Sequence, residues 1–461
     1  MRFPYGTAAL VIGIVALVSG GAVVVKGWQR DQGRPDLIFA TFAKDHAEAY
    51  RPLIAEFEKK RGVRVQLQVV DQNALKGRLQ SALQVGAEVP DMVELLDGTM
   101  GYFTKGPLEG VGFVDITDRV MKSQGGQPPL WDQLVNSRFD KWSSRGRIFA
   151  IPHDVHPTVL CYRRDLVESL GIDVERLTTW DEFERVGREV GTRDVDGNGV
   201  IDRYMIDLPV SEAWAVRLLL LQNGGLLFDA DGNVRFDSEA AVQTLCWYVQ
   251  QIEGKDRISF PCGWGQNLAK SMTDGLVLFY ICPDWRTRQF QNDIPSLSGK
   301  LALMPLPAWE AGGLRTSTWG ATGLAITKQC KQQELAWELA MLLYYEKSEL
   351  GKRFQETNIL PPLKDSWDLP EIKEPREFFG GQAIGTLFAE LAPHVPAEPA
   401  NAYMIQAETK FVEAFTNVRI RFAEHGEAGL EDFARRELKR CADHVRKSID
   451  RNVFLADRAG E

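Results

Sequence analysis

The stretch DLIFATF, residues 36–42, opens the pattern that decides the fold of this chain. Apolar residues at helical spacing follow it, then the alternating run VRVQLQV at 63–69, a second helical pattern and the apolar run DMVELL at 91–96. This β-α-β-α-β order predicts a parallel sheet with right-handed crossovers. Ligands of such sheets bind at the carboxyl ends of the strands, which here are residues 41–45 and 97–98.

The chain has 461 residues, of which 44% are hydrophobic and 25% charged, the composition of an ordinary globular protein. This length can hold two or three domains, and the composition excludes a disordered chain, a collagen-like repeat and a multi-pass membrane protein. Acidic residues outnumber basic residues by 63 to 54, so the net charge is -9. Because the sequence contains no basic block, nucleic-acid binding lacks an electrostatic basis.

Further strands and helices are predicted along the rest of the chain. Apolar and alternating runs predict strands near residues 149–152, 158–162, 277–281, 301–305 and 322–327. Helical spacing predicts helices from Thr179, from Ser211, over residues 332–345 and through the last fifty residues. This mixture of elements predicts two α/β lobes, between which the chain crosses more than once.

Residues 1–30 form a separate segment, because residues 7–25 read TAALVIGIVALVSGGAVVV without a charge. A membrane span needs about 17–25 residues and the apolar part of a cleavable signal about 7–15, so the length favours an uncleaved anchor. Two alternatives stay open, which are cleavage after small residues such as Ser19 and Gly21, and burial as a core helix. Export places the globular part in the periplasm or at the outer face of the cytoplasmic membrane.

The number and spacing of the cysteines argue against sites that need several cysteines close together. Six are present, far apart in the chain, without a Cys-x-x-Cys pair or Cys/His spacing typical of zinc. A disulfide framework and a structural zinc site are therefore not expected, although one or two isolated disulfides are compatible with the sequence. These residues are Cys161, Cys246, Cys262, Cys282, Cys330 and Cys441.

A calcium loop is the strongest local motif. Oxygen-bearing ligands fall at positions one, three, five, seven and nine, the seventh through a backbone carbonyl, and glycine stands at position six. Position twelve, where a bidentate glutamate belongs, is Met205, so the predicted structural Ca²⁺ site is weak, and a solvated turn rich in Asp and Asn is the alternative. The predicted ligands are Asp194, Asp196, Asn198, Val200 and Asp202.

Several later blocks carry a resemblance to a known family. The run IPHDVHPTVLCYRRDL at 151–166, followed by TWDEF at 179–183, resembles the central signature of the extracellular solute-binding proteins of family 1. Those proteins are the sugar receptors of ATP-driven importers. Other blocks similar to that family follow its usual order, and they are PDMVEL at 90–95, DWR at 284–286, PLP at 305–307 and WGATGLAI at 319–326.

The resemblance implies a two-lobed α/β fold of the periplasmic-binding-protein type II, with a ligand cleft between the lobes. It implies a first lobe of residues 36–152 plus 318–362 and a second of 153–317 plus 363–456. The lobes close on a mono- or oligosaccharide, perform no chemistry, need no organic cofactor and deliver the sugar to the membrane permease of an ABC importer. The membrane segment lacks the lipid-carrying cysteine common in relatives, and this departure leaves the mode of anchoring open.

Sugar rings present flat C–H faces and rims of hydroxyls, so a sugar site needs aromatic platforms beside polar side chains. Trp285 follows a predicted strand, Trp319 precedes glycines, and Trp264 lies between two glycines. Each tryptophan also has a structural interpretation, which places Trp285 in the core, Trp319 at a strand bend and Trp264 in an exposed loop. The polar candidates for ligand contact are Lys44, Asp97, His153, Asp154 and Arg286. For the run His153–His156 between two prolines, a hydrogen-bonding role in a rigid connector and a metal site are the alternatives.

Two other functions compete with the sugar receptor. A secreted carbohydrate-active enzyme needs two carboxylates about 5–9.5 Å apart, and no local sequence pattern indicates such a pair. The sequence also lacks a Gly-x-Ser-x-Gly elbow and a His-Glu-x-x-His helix. A sensor subunit for a membrane kinase would need the same closing lobes as a transport receptor, so the sequence leaves that alternative open.

Overall fold

The computed structural model describes residues 34–123, 125–191 and 202–452. Over these residues the chain forms two β-sheets with helices packed around each, and a two-stranded ribbon. The strands are β1 (Leu37–Thr41), β2 (Val65–Val69), β3 (Met92–Leu96), β4 (Ser143–Ser144), β5 (Arg147–Ile148), β6 (Ile151–Pro152), β7 (Thr158–Arg163), β8 (Tyr204–Asp207), β9 (Val277–Pro283), β10 (Leu301–Pro305) and β11 (Thr322–Ile326).

The first sheet has the strand order β2-β1-β3-β11-β6. Strands β1, β2 and β3 are parallel to one another, which confirms the β-α-β-α-β prediction, with Leu37 opposite Val65. Strand β11 joins antiparallel to β3 from more than 200 residues further along the chain, so the whole sheet is mixed. The order of local elements could not predict this pairing, because β11 arrives from the other half of the molecule.

The second sheet has the order β10-β7-β9-β8, in which only the pair β8–β9 is parallel. Every residue of its central strands β7 and β9 is buried. Strands covered on both faces read as continuous apolar runs rather than alternating ones, which is how they appear in the sequence. The predicted strands near residues 158–162, 277–281 and 301–305 are confirmed.

Helices of eight or more residues cover both sheets. Asp71 caps one of them by accepting from the backbone N–H groups of Asn73 and Ala74, each at 3.0 Å. The helices span Lys44–Arg61, Gln72–Val85, Trp180–Gly191, Trp214–Gln222, Glu239–Ile252, Gln266–Asp274, Asp284–Asp293, Gln333–Tyr345, Lys347–Thr357, Ile384–Leu391, Met404–His425 and Leu430–Asp450. Shorter helical segments cover Met100–Phe103, Thr117–Met121, Leu130–Gln133, Arg164–Ser169 and Pro370–Lys373.

Each sheet has its own apolar core, and this makes two lobes. In the first lobe, Phe39 of β1 packs with Tyr50 and Leu324. In the second lobe, Phe279 of β9 packs with Trp180, and the long carboxyl-terminal helices contribute to the same cluster. Because each lobe buries its own apolar surface, each can move as a unit relative to the other.

The chain passes between the lobes through residues 153–157, 316–321 and 358–362. These three segments contact one another. The backbone N–H of Val155 donates to the carbonyl of Leu360 at 3.2 Å, and Pro157 forms an isolated bridge with Thr318. The three crossings therefore form one hydrogen-bonded hinge at the back of the space between the lobes.

No helix within residues 34–123, 125–191 and 202–452 is long and apolar enough to cross a membrane. The predicted anchor at residues 7–25 lies outside the described residues.

A substitution of Gly323 on β11 tests how tightly the first lobe is packed. A Cβ at this position would lie 2.5 Å from the indole ring of Trp142. Overpacking of this kind costs about 1–3 kcal/mol, so we expect Gly323→Ala to lower the free energy of unfolding by that amount in urea denaturation. The control is Gly110→Ala at an exposed position with open space around it, which should change stability by less than about 0.5 kcal/mol. Equal stability of the two variants would contradict the packing.

Candidate functional site

A cleft of about 660 Å³ lies between the two lobes, at the carboxyl ends of β1 and β3. This volume is typical of sites for small molecules and short oligomers. The first lobe contributes two strand ends and a helix start, and the second lobe contributes two helices and the hinge. The residues lining the cleft are Phe42, Ala43, His46, Gln72, Asn73, Lys76, Leu96, Asp97, Gly98, Thr99, His156, Trp214, Arg217, Leu218, Leu221, Trp285, Thr318, Trp319, Gly320, Ala321, Thr322, Ile359, Glu398, Ile405 and Glu408.

Three tryptophans form one aromatic side of the cleft. Trp319 and Trp214 stack with ring centres 3.7 Å apart and planes inclined by 7°. Trp285 meets Trp319 edge to face at 5.3 Å, and its indole N–H donates to the Trp319 carbonyl at 3.1 Å. These contacts fix all three rings before a ligand arrives. Trp285 and Trp319 were predicted from the sequence, whereas Trp214, the first residue of a largely apolar helix, was missed.

Arg286 does not reach the cleft, contrary to the prediction that it offers hydrogen bonds there. The residue is 1% exposed, and its guanidinium group lies 5.1–5.9 Å from the ring centres of Trp264, Trp319 and Trp214. One of its N–H groups donates to the Ile281 carbonyl at 2.7 Å. A cation over aromatic faces is attracted by their quadrupoles, so Arg286 holds the rings from behind.

Trp264 and Lys44 also lie outside the cleft lining. Trp264 is 42% exposed, and its indole N–H donates to Glu212 at 3.1 Å, so it packs at the outer edge of the aromatic group. The side chain of Lys44 is 81% exposed and lies 3.8 Å from Glu48. Lys44 is the first residue of its helix and points to solvent, while His46, two residues further on, faces the cleft.

A charged network forms the side of the cleft that lies around Asp97. The Lys141 ammonium contacts Asp97 at 2.8 Å and also contacts Glu398. Arg217 binds Glu398 at 2.9 Å and Glu408 at 2.6 Å. The five residues come from four separate parts of the chain, and only the packing of the lobes brings these parts together. Asp97 was predicted, whereas no sequence signal identified the other four.

Glu398 is the centre of this network. Burial alone would raise the pKa of its carboxyl group, but the adjacent Lys141 and Arg217 lower that pKa to about 2. Glu398 is therefore ionised at neutral pH. The network holds two cations and three carboxylates, a formal net charge of -1 when all three carboxylates are ionised, although burial raises the pKa of Glu408 above its usual value.

His156 in the hinge lies between two buried carboxylates. Its Nδ1 is 2.6 Å from Asp284 and its Nε2 is 3.1 Å from Asp154, so both nitrogens donate when the ring is protonated. Burial alone would lower the pKa of His156, but Asp154 and Asp284 outweigh it and raise the pKa to about 9. The imidazolium therefore ties the first crossing segment to the start of helix Asp284–Asp293.

Asp154 and His153 support the hinge rather than the ligand cleft. Asp154 is buried, accepts from the backbone N–H of Thr322 at 3.0 Å and lies 3.8 Å from Arg138. The ring of His153 lies 4.1 Å from that of His46, and burial together with repulsion from His46 lowers the pKa of His153 to about 3. Neither residue lines the cleft, so the structure favours a hydrogen-bonding role in the hinge over the predicted ligand contact.

Glu94, on β3, fixes the cleft-facing His46. It accepts hydrogen bonds from Tyr50 at 2.9 Å and Tyr344 at 2.7 Å, and also from Thr41. Nδ1 of His46 lies 3.2 Å from the same carboxylate. A buried carboxylate with several partners holds its neighbours in one geometry, so β3 and helix Lys44–Arg61 present His46 to the cleft in a fixed orientation.

The described residues contain neither a disulfide nor a cluster of side chains placed to hold a metal ion. All six cysteines are free and buried. No group of three or more His, Cys, Asp or Glu residues is placed to hold a metal ion in the described parts of the chain. Of the predicted calcium ligands, Asp194, Asp196, Asn198 and Val200 lie outside the described residues, so the calcium site stays a prediction.

The charge of His156 predicts a pH dependence of stability. The pKa of His156 is about 9 in the folded protein and about 6.5 in the unfolded chain. Protonation of His156 therefore adds to the free energy of unfolding, fully below pH 6.5, and this contribution is lost as the pH rises through 9. The difference corresponds to at most about 3 kcal/mol. We expect urea denaturation at pH 6 and pH 9 to show this decline in the wild type and not in His156→Gln. An equal decline in both proteins would assign the titration to another group.

Comparison with known proteins identifies the family of this architecture. Residues 43–347 match the family model described as bacterial extracellular solute-binding protein. An arabinooligosaccharide-binding protein of Halalkalibacterium halodurans is 25% identical over 403 residues, 86% of each chain. An arabinooligosaccharide-binding protein of Bacillus subtilis is 27% identical over 374 residues, covering 79% of this chain and 82% of the relative.

Solved structures show the same two-lobed fold. The sugar-binding protein MalE from Xanthomonas citri superposes with a TM-score of 0.71 at 21% identity, covering 90% of this chain and 99% of that chain. A cyclo/maltodextrin-binding protein complexed with maltotetraose gives a TM-score of 0.67 at 18% identity, covering 91% and 98%.

Proposed function

The chain belongs to the bacterial extracellular solute-binding protein family, and from this premise we propose that it captures an oligosaccharide in the cleft between its lobes. Family members and the matched relatives are binding proteins, so this chain is a binding protein and not an enzyme. The family also places it outside the cytoplasm. Delivery of the sugar to the membrane permease of an ABC importer completes the proposed function.

The main support for this proposal is that one cleft has both an aromatic side and a charged side. Trp285, Trp319 and Trp214 offer flat surfaces for the C–H faces of sugar rings. Asp97 and Glu408 reach the cleft with about a third of each side chain exposed, at 30% and 33%, and can accept hydrogen bonds from hydroxyl groups. Few other small-molecule classes combine a flat apolar face with a rim of hydroxyls.

An arabino-oligosaccharide or a similar short sugar chain is the proposed ligand class. The two relatives quoted above carry that ligand in their names, and each spans more than three quarters of this chain. The cleft volume of about 660 Å³ supports a ligand of a few sugar units. The fixed tryptophan rings favour such a ligand, since prearranged contacts lower the entropy cost of binding.

We also propose that residues 7–25 anchor the domain to the outer face of the cytoplasmic membrane. Their uncharged length supports a span. Amino-terminal sequencing of the mature protein tests this, because an intact segment is expected, and a start near Ala22 would show cleavage instead.

Replacement of one tryptophan tests the aromatic side. Loss of a central aromatic contact commonly costs about 2 kcal/mol in binding, so Trp285→Ala should weaken binding of a linear arabino-oligosaccharide at least about tenfold in isothermal titration. Trp264→Ala is the matched control, because Trp264 contacts the same aromatic group but does not line the cleft. It should change the affinity less than about threefold.

Melting curves of both variants check that the fold is kept. Wild-type affinity in folded Trp285→Ala would contradict the proposed aromatic contact.

A further inference from the structure

The charged network blocks one side of the cleft. Lys141 and Asp97 belong to the first lobe, and Arg217, Glu398 and Glu408 pack with the second, so the network crosses between them. Behind it remains a void of only about 10 Å³. Such a volume holds about one water molecule, so a sugar ring cannot pass beyond the network.

Backbone contacts seal the space behind this network. The backbone N–H of Ala400 donates to the carbonyl of Asp140 at 3.0 Å. A Cβ on Gly101 would lie 2.0 Å from the carbonyl oxygen of Asn401, so two backbones meet there without an intervening side chain. Rotation of a side chain could therefore not open a passage on this side.

The hinge closes a second side, since His156, Gly320 and Ile359 of the three crossing segments line the cleft. Among the residues that line the cleft, Gln72 and Asn73 of the first lobe and Ile405 of the second are exposed, so the cleft meets solvent past these residues. A long ligand that lay across the cleft would need a second exit on the side of the charged network or of the hinge, and both of these sides are closed.

We propose that the cleft takes the end of an oligosaccharide, with the terminal sugar unit against the charged network and the rest of the chain leaving past Gln72 and Asn73. This inference rests on the proposed function. The buried Lys141 and the paired Arg217 hold the carboxylates in place, and Asp97 and Glu408 accept hydrogen bonds from the terminal unit. The excess negative charge of the network selects a neutral terminal unit over a uronic acid.

The test compares four forms of one ligand by isothermal titration with the full chain. Linear arabinotetraose is the first probe, and maltotetraose and galactotetraose follow if it does not bind. The other forms carry a bulky aryl group on the reducing end, the same group on the non-reducing end, or a uronic acid in place of the terminal unit at the end that proves sensitive.

We expect one of the two end-blocked forms to lose at least 100-fold in affinity, and the other to bind within about threefold of the unmodified tetraose. The uronic acid form should bind at least tenfold more weakly. Near-equal affinity of both blocked forms, or loss of both, would overturn the recognition of a chain end. Failure of every unmodified tetraose to bind would instead overturn the proposed function.

Two variants on the same helix test the role of the network. Glu408→Gln keeps the volume of the side chain but removes its charge, and it should weaken binding of the unmodified tetraose about tenfold while still rejecting the blocked form. Glu413→Gln is the control, because Glu413 pairs with Lys410 and Arg440 away from the cleft. Wild-type affinity in folded Glu408→Gln would show that the ligand does not touch the network.

Discussion

The clamp of His156 between Asp154 and Asp284 is the interaction on which the geometry of the whole cleft depends. Asp154 also accepts from the backbone of Thr322, and Asp284 accepts from the backbone N–H of Leu360 at 2.8 Å. The first and third crossing segments, and β11 directly after the second, therefore meet at one cluster of two carboxylates and an imidazolium. Breaking such a buried cluster leaves an unpaired charge at a cost of about 3–5 kcal/mol, so the crossing segments stay joined at this cluster.

This clamp also sets the position of the aromatic side. The backbone N–H of Trp285 donates to Asp284 at 2.7 Å, and this places the indole ring beside the hinge. The indole N–H of Trp285 then donates to the Trp319 carbonyl. The charged network around Glu398 lies on another side and is contributed by both lobes. A movement of one lobe about the hinge therefore changes the distance between Asp97 and the tryptophans without disturbing either core.

The sequence predicted the strands well because each carries a local apolar pattern, as β1, β3 and β9 show. The site was harder to predict. Lys141 and Glu398 are 257 residues apart, and no local pattern marks either as a partner of the other. Arg286 was predicted in the cleft because it follows a strand end, and Asp154 because it lies in a polar connector between two prolines. In the structure, Arg286 is buried behind the aromatic rings and Asp154 is hydrogen-bonded within the hinge, so neither side chain lines the cleft.

We propose that the two lobes close on an oligosaccharide held between them. Small-angle scattering of the protein with and without a saturating sugar, whose binding is measured in parallel by calorimetry, tests this closure. We expect the radius of gyration to fall when the sugar binds. An unchanged radius of gyration, at a sugar concentration that calorimetry shows to be saturating, would contradict it.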